Sequence, residues 1–209
     1  MNRPSIAICT PWQDHLDLRD DYFNAIDAAK PDQLVIVDDG SSPPLEFAAV
    51  RLEEPAGFCA ASNAGLALVE TDTVVFLNND IRALRPDWLD AFRRQIEPGY
   101  AVGPLRFDNH GGVDEVQYPY VDGWALGMTT VDARRVGGWD ETYDRAGPAY
   151  FSDNALSFRA RMAGITLREV RPGLLHKGGQ TGGVDRARFD AALKANSLLF
   201  ASQVREALA

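Results

Sequence analysis

Residues 73–80 read Thr-Val-Val-Phe-Leu-Asn-Asn-Asp, and this stretch decides the fold class. The apolar run at 74–77 is short and rich in β-branched and aromatic side chains, which is typical of a strand buried on both faces of a parallel sheet. The run ends in two amides and a carboxylate, Asn78, Asn79 and Asp80. Ligands of open α/β sheets bind beyond the carboxyl ends of the strands, so these three groups are candidate ligand contacts. Asn-Asn-Asp is also good turn chemistry, and this stretch by itself leaves both interpretations open.

The segments around this strand alternate between apolar runs and helical patterns. Such alternation predicts an α/β fold with a mostly parallel central sheet and right-handed crossovers. The predicted strands are 5–9, which Thr10-Pro11 should end, and 33–37, 50–53, 73–77, 101–105, 124–130 and 166–170. The predicted helices are 16–29, 59–69, 86–96, 132–136, 153–163 and 185–208. The segments at 106–118, which contains His110, and at 177–183 are predicted loops.

Composition limits the class of protein. A chain of 209 residues with 45% apolar and 24% charged residues is typical of one globular domain. No long apolar run indicates a signal peptide or a membrane span, and we therefore expect a cytoplasmic protein. A net charge of −9 argues against a nucleic-acid partner, which would need a basic face. Cys9 and Cys59 lack metal-site spacing and are expected to be reduced and buried.

Three predicted strands end in polar clusters that would meet at one edge of a parallel sheet. The clusters are Thr10-Pro11, Asp38-Asp39-Gly40-Ser41 and Asn78-Asn79-Asp80. Asp38 or Asp39 could accept a hydrogen bond from a base or a ribose hydroxyl, although Asp-Gly-Ser also makes a turn. No Walker A or dinucleotide fingerprint is present, so a glycine cradle for phosphate is not supported. A divalent metal is the alternative device for binding a diphosphate.

Seven segments occur in an order that resembles family 2 glycosyltransferases of the GT-A fold. They are Thr10-Pro11, Val37-Asp38-Asp39-Gly40-Ser41, Gly57-Phe58 with Asn63-Ala64-Gly65-Leu66, Phe76-Leu77-Asn78-Asn79-Asp80, Gly137-Gly138-Trp139-Asp140-Glu141, Phe151-Ser152-Asp153 with Arg159 and Ala163-Gly164, and His176 with Gly178-Gly179. The matches cover roughly residues 5 to 183. Each is weak alone, and their shared order makes the resemblance specific. It implies a single GT-A domain, with a nucleotide-sugar-binding half at 1–105 and an acceptor and catalytic half at 106–209.

The resemblance also implies a nucleotide-sugar donor and a divalent metal. The implied donor contacts are Thr10, Pro11, Asp38, Asp39, Asn63, Asn78 and Asn79. Asp80 matches the last acid of the family's Asp-X-Asp metal motif, whose first position is Asn78 here. His176 would be a further metal ligand, or else a satisfied histidine at a strand end. An imidazole in the shell makes Mn²⁺ more plausible than Mg²⁺.

Asp153 matches the family's catalytic base. It would take the proton of an acceptor hydroxyl that attacks the anomeric carbon in a single, inverting displacement. Asp153 could instead cap the helix that begins there, unless Ser152 does so. The family usually has acids at the positions of Ser152 and Ala155, and their absence puts some acceptor or sugar contacts in doubt.

The acceptor side is implied by residues before the Gly-Gly-Trp segment. Asp122 could hold a substrate hydroxyl, and Trp124 could stack on a sugar, although large aromatic residues are more often core. The Gly-rich loop at 178–183 could close over bound donor. The alternative function is a non-catalytic nucleotide-sugar or carbohydrate-binding module on the same fold, which the residues Asn78, Ser152 and Ala155 favour. The sequence leaves open the donor sugar and base, the acceptor and the oligomeric state.

Overall fold

Seven strands form one mixed sheet in the computed structural model, which describes residues 3–108, 117–178 and 186–209. In chain order the strands are β1 (Ile6–Trp12), β2 (Gln33–Asp39), β3 (Val50–Leu52), β4 (Thr73–Leu77), β5 (Ile81–Ala83), β6 (Tyr100–Gly103), β7 (Leu105–Arg106), β8 (Tyr120–Val121), β9 (Ala125–Thr129), β10 (Thr166–Glu169) and β11 (Leu174–His176). The main sheet has the order β10-β6-β9-β4-β1-β2-β3. Neighbouring pairs are parallel except where β9 runs antiparallel to β4 and β6. The predicted α/β fold with a mostly parallel sheet is confirmed.

Helices cover both faces of this sheet. They are α1 (Arg19–Ala29), α2 (Phe58–Leu68), α3 (Trp88–Arg93), α4 (Thr130–Arg135), α5 (Ser152–Met162) and α6 (Arg186–Leu208), with 3₁₀ turns at Leu16–Leu18 and Glu141–Ala146. One core lies between the sheet and α1 with α3, and the other lies between the sheet and α2, α4, α5 and α6. All five side chains of β4 are buried, because this strand carries apolar neighbours on both faces. The part of the chain that the structure describes has no helix with the length and apolarity to cross a bilayer.

The first strand is longer than its sequence predicts. We expected Thr10-Pro11 to end it, but β1 continues to Trp12, with Pro11 in register with Val37 of β2. The pairing of β1 with β4 stops at Cys9, opposite Phe76. Beyond Cys9 one edge of β1 therefore has no ladder partner among the described residues, and a proline is tolerated where no N–H donor is needed.

Two short ribbons complete the carboxyl edge of the sheet. Strand β5 pairs antiparallel with β11, and β7 pairs antiparallel with β8. Neither ribbon was predicted as such, because strands of two or three residues are too short to show a hydrophobic period. The β5–β11 ribbon has the larger consequence, since it brings the second half of the chain against the end of β4.

Candidate functional site

The candidate site begins where β4 ends. Asn79 and Asp80 are 6% and 5% exposed, and Asn78 is half-buried. The main-chain N–H of Asn78 donates to the carbonyl oxygen of Trp124 at 2.9 Å, which extends the β4–β9 pairing by one residue. This backbone therefore places the three polar side chains at the carboxyl edge of the sheet.

The β5–β11 ribbon brings His176 to this segment. His176 is in register with Ile81, and the main-chain N–H of Lys177 donates to the carbonyl oxygen of Asp80 at 2.8 Å. As a result, His176 Nε2 lies 3.1 Å from Asp80 Oδ1 and 3.4 Å from Asn78 Nδ2. The structure thus brings together the proposed Asp-X-Asp remnant and a histidine 98 positions beyond Asn78.

Two buried oxygens of this cluster accept no hydrogen bond from the part of the chain that the structure describes. Among the described residues neither Asn78 Oδ1 nor Asp80 Oδ1 has a hydrogen-bond partner, although the His176 imidazole approaches Asp80. Buried polar atoms are nearly always bonded, so these two need an explanation. A carboxylate, an amide oxygen and an imidazole are ligands that suit a divalent transition metal. The described residues contain no metal-binding group of three His, Cys, Asp or Glu side chains, so the Asn78 amide would have to complete the set.

Trp124 packs directly on the candidate metal ligand. Its indole stacks on the His176 imidazole, with ring centroids 4.8 Å apart and planes 9° from parallel. We expected Trp124 to face an acceptor sugar, which stays a prediction; the structure shows His176 on one face of its ring. Trp124 therefore contacts His176 through its ring and Asn78 through its main chain.

Asp153 lies at the start of α5 and contacts the turn at 122–124, which contains Trp124. Its Oδ2 accepts the main-chain N–H of Gly123 at 3.0 Å, and its Oδ1 accepts that of Asn154 at 2.9 Å. The side chain is buried, with the residue 8% exposed. The helix N-cap is Phe151 and no side chain caps it, so neither Asp153 nor Ser152 takes the capping role that we considered. The turn at 122–124 therefore lies between the candidate base and the candidate metal ligands.

Asp122 is paired with a cation. Its Oδ2 accepts a hydrogen bond from Arg106 Nε at 3.0 Å, and this pairing raises the pKa of Arg106. Arg106 was not singled out from the sequence, because nothing in the local pattern marks it as the partner of Asp122.

Two predicted loops lie largely outside the described residues. They are the loop around His110, of which 109–116 is not described, and the Gly-rich loop, of which the part from 179 onward is not described.

Asp38, near the end of β2, was expected to contact a nucleoside, and its carboxylate is bonded to protein groups. Asp38 is fully buried, and its two oxygens accept hydrogen bonds from the Ser41 N–H at 2.8 Å, the Leu45 N–H at 3.0 Å and the Arg51 guanidinium. Burial alone would raise the pKa of Asp38, but these hydrogen bonds outweigh it and hold the pKa below its ordinary value. Asp38 thus fixes the loop after β2.

Asp39 is the last residue of β2, and its carboxylate bonds to the two residues that precede α2. Its oxygens accept the main-chain N–H groups of Ala56 at 2.7 Å and Gly57 at 3.0 Å. Burial raises the pKa of Asp39, and the two donors offset only part of that effect. Each oxygen retains acceptor capacity for one further donor.

Asp144 shares this helix start and was missed by sequence analysis. Its oxygens accept the main-chain N–H groups of Cys59 at 3.1 Å and Ala60 at 3.0 Å. A Cβ atom at Gly57, whose φ is +105°, would lie 2.5 Å from Asp144 Cγ, so a glycine is required there. Asp144 lies 85 residues beyond Cys59, and no motif connects it with α2.

The remaining predicted donor contacts lie within the fold: Thr10 and Asn63 bond to protein groups, and Pro11 is part of β1. Thr10 is fully buried, with its hydroxyl oxygen 2.6 Å from the Tyr22 hydroxyl, and Pro11 is half-buried within β1. Asn63 bridges α2 to the loop after α4, because its side chain bonds both main-chain groups of Trp139 at 2.8 and 2.9 Å. Asn63 also lines a cleft of about 630 Å³ between α2 and residues 137–145. Asp80 and His176 do not line that cleft.

This architecture is shared with solved glycosyltransferase structures. The mannosyltransferase PcManGT from Pyrobaculum calidifontis, in complex with GDP-Man and Mn²⁺, matches with a TM-score of 0.61 and 15% identity over 85% of this chain and 59% of that one. Glucosyl-3-phosphoglycerate synthase from Mycobacterium tuberculosis, in complex with Mn²⁺, UDP-glucose and phosphoglyceric acid, matches with a TM-score of 0.61 and 17% identity over 94% of this chain and 79% of that one. GalNAc-T7 with UDP, GalNAc and Mn²⁺ matches with a TM-score of 0.62 and 12% identity over 83% of this chain and 43% of that one.

The chain has the GT-A fold. At these identities the likeness concerns the fold, and the chain spans less than two thirds of the mannosyltransferase and of GalNAc-T7. No protein-family model matches the sequence, and no curated protein of similar sequence was found. The fold implied by the resemblance to family 2 glycosyltransferases is therefore confirmed.

Proposed function

We propose that this GT-A protein is a metal-dependent glycosyltransferase, which moves a sugar from a nucleotide-diphosphate donor to an acceptor hydroxyl with inversion. The observation that carries the proposal is a pair of buried oxygens, Asn78 Oδ1 and Asp80 Oδ1, which lie beside His176 and accept no hydrogen bond from the described residues. The solved structures of the same fold support it, since they were determined with Mn²⁺ and with GDP-Man, UDP-glucose or UDP.

Asp80, His176 and Asn78 would hold the metal. When bound, the cation would stabilise the negative charge that develops on the diphosphate leaving group. The imidazole favours Mn²⁺, because Mg²⁺ prefers oxygen ligands and keeps several waters. The Asn78 amide is a neutral ligand, so its contribution to affinity would be smaller than that of the usual carboxylate.

The nucleoside would lie near the ends of β1 and β2. Asp39 is the main candidate there, because each of its oxygens can still accept a hydrogen bond from a base N–H or a ribose hydroxyl. Pro11 and Asn79 would contribute contact surface at the same edge. Thr10 and Asp38 are fully buried, so their contribution would be to hold the backbone of this edge.

Asp153 would act as the general base. The acceptor oxygen bonds to the anomeric carbon as the bond from that carbon to the diphosphate oxygen breaks, and the hydroxyl proton passes to Asp153. The N–H groups of Gly123 and Asn154 would hold the carboxylate in position, one on each oxygen. A single displacement of this kind inverts the configuration of the anomeric carbon.

A binding module without catalysis is the second candidate. The specific observation in its favour is at α5, where the positions that usually carry further acids are Ser152 and Ala155. Both are buried, at 3% and 2% exposed. A module of this kind would bind a nucleotide sugar and leave it intact.

The test is the release of nucleoside diphosphate from GDP-Man, UDP-glucose and UDP-GalNAc with Mn²⁺ and a panel of saccharide acceptors. We expect the wild type to turn over one donor and Asp153→Asn to lose about 10²–10⁴-fold in rate. The matched control is Asp190→Asn, an exposed carboxylate on α6 that pairs with Arg186. An unchanged rate in Asp153→Asn would show that the assigned base is wrong. Nucleotide binding by the wild type without turnover of any donor would favour the binding module.

A further inference from the structure

We infer that Trp124 is a positioning residue for His176, and that its role is to set the plane of the imidazole at the candidate metal site. This inference rests on the proposed function, because it assigns His176 a metal-binding task. It differs from the expected role of Trp124 as an acceptor platform.

The first observation is the geometry of the two rings. The indole and the imidazole lie nearly parallel, 9° apart, at a centroid separation of 4.8 Å. The lone pairs of imidazole nitrogens lie in the plane of the ring. A ring that stacks face to face on Trp124 cannot rotate about its Cβ–Cγ bond without losing that contact. Trp124 therefore fixes the direction in which Nε2 points.

The second observation is where Nε2 points. It lies 3.1 Å from Asp80 Oδ1 and 3.4 Å from Asn78 Nδ2, in the middle of the candidate ligand set. The His176 side chain is 27% exposed and comes from a strand of three residues, so its own element provides little packing. Among the described residues, the aromatic ring that packs on the imidazole is that of Trp124.

The third observation is that Trp124 is itself tied to the ligand segment. Its carbonyl oxygen accepts the main-chain N–H of Asn78 at 2.9 Å, and the next residue, Ala125, is in register with Leu77. The indole and the Asn78 side chain thus extend from two segments whose main chains are hydrogen-bonded to each other. This is the arrangement expected of an outer-shell residue, which orients a ligand without touching the metal.

The experiment is a Mn²⁺ titration of the full chain, followed by the electron paramagnetic resonance signal of free Mn²⁺, alone and with saturating UDP or GDP. We expect Trp124→Leu to weaken Mn²⁺ binding by about 10–100-fold, the usual effect of removing an outer-shell partner. Trp124→Phe keeps an aromatic face for the imidazole and should restore most of the affinity. The matched control is Tyr100→Leu, which removes a half-buried aromatic ring that packs against the Arg168 guanidinium. Tyr100 is the first residue of β6 and therefore lies away from the carboxyl ends of the parallel strands.

The possible outcomes separate this inference from the proposed function. If the wild type binds Mn²⁺ and Trp124→Leu binds it equally well, the positioning role is wrong and the metal site stands. If Trp124→Leu and Tyr100→Leu weaken binding equally, the effect is a general loss of structure and the inference is also wrong. If the wild type binds no Mn²⁺ with or without nucleotide, the proposed metal site is overturned and this inference falls with it.

Discussion

The carboxyl ends of β2 and β4 resemble each other in sequence and differ in their hydrogen bonding. Asp38 and Asp39 follow one apolar strand, and Asn78 and Asp80 follow the other. Both groups lie at the same edge of the sheet, and both aspartates of β2 and Asp80 are at most 5% exposed. At β2 each carboxylate oxygen accepts at least one hydrogen bond, whereas at β4 one oxygen of Asn78 and one of Asp80 accept none among the described residues.

This difference in hydrogen bonding indicates that the buried polar side chains at the two strand ends have different roles. A buried oxygen that meets main-chain N–H groups stabilises the loop that supplies them. A buried oxygen without a donor lowers stability in the free protein, so its position is more easily explained by a ligand. We therefore propose that Asp38 serves the fold and that Asp80 serves the site.

Replacing Asp38 should damage the fold. Asp38→Ala leaves the Arg51 guanidinium and the N–H groups of Ser41 and Leu45 without their acceptor. We expect the free energy of unfolding to fall by about 2–4 kcal/mol, measured by urea denaturation. The control is Asp87→Ala, which removes an exposed ion pair with Arg85 and should leave the free energy of unfolding nearly unchanged. Equal losses in the two variants would show that the end of β2 is not held by Asp38.

Replacing Asp80 should damage the site and spare the fold. Asp80→Asn keeps the shape of the side chain and removes the one carboxylate of the candidate ligand set. We expect a change in unfolding free energy within about 1 kcal/mol and a loss in Mn²⁺ affinity of at least about 10–100-fold. Calorimetric titration with Mn²⁺ in the presence of UDP or GDP measures the affinity. A strongly destabilised variant with unchanged Mn²⁺ affinity would reverse the assignment.

Adding a carboxylate at Asn78 should improve the site. Asn78→Asp restores the usual first acid of the Asp-X-Asp motif, and ligand charge is a main determinant of affinity for divalent cations. We expect about a tenfold gain in Mn²⁺ affinity and a small loss of stability without metal, because two carboxylates then lie close together. The same titration measures the gain. Weaker binding in this variant would argue that Asn78 does not face the cation.

The pH dependence of stability should also test the role of Asp38 at the end of β2. Since the pKa of Asp38 is held below its ordinary value in the folded state, its stabilising contribution is present above the unfolded pKa of about 3.9 and is lost as pH falls through the folded pKa. The difference in unfolding free energy between wild type and Asp38→Asn should therefore shrink as pH is lowered from 7 towards 3. Denaturation curves at several pH values measure it. A difference that does not change with pH would show that the Asp38 carboxylate is not stabilised as an anion.

The sequence predicted strands better than it predicted the side-chain environment. Strand β4 was predicted with its observed bounds, because a short apolar run followed by Asn-Asn-Asp has a clear beginning and end. The proximity of Asp80 and His176 followed only from the resemblance to a family. The contact itself depends on the pairing of β5 with β11, and each of these strands has only three residues, which is too short to show a hydrophobic period.

Hydrogen-bond partners across the chain were beyond the reach of local pattern. The Arg51 partner of Asp38 and the Asp144 carboxylate at the start of α2 come from segments with no shared motif. Trp124 was singled out from the sequence as a residue that faces the acceptor. Its contact with His176 could not be predicted, since it depends on the register of β9 with β4.

The central claim is that the end of β4 binds a nucleotide diphosphate through a metal. The most direct measurement is a thermal-shift titration with UDP, GDP and dTDP, with and without Mn²⁺, on the wild type and Asp80→Asn. A ligand at 100 times its dissociation constant adds about 2.7 kcal/mol, which corresponds to a rise in melting temperature of about 5–10 °C for a chain of this size. We expect that rise for one nucleotide, with Mn²⁺ present, in the wild type alone. No rise with any nucleotide, or the same rise in Asp80→Asn, would contradict the claim.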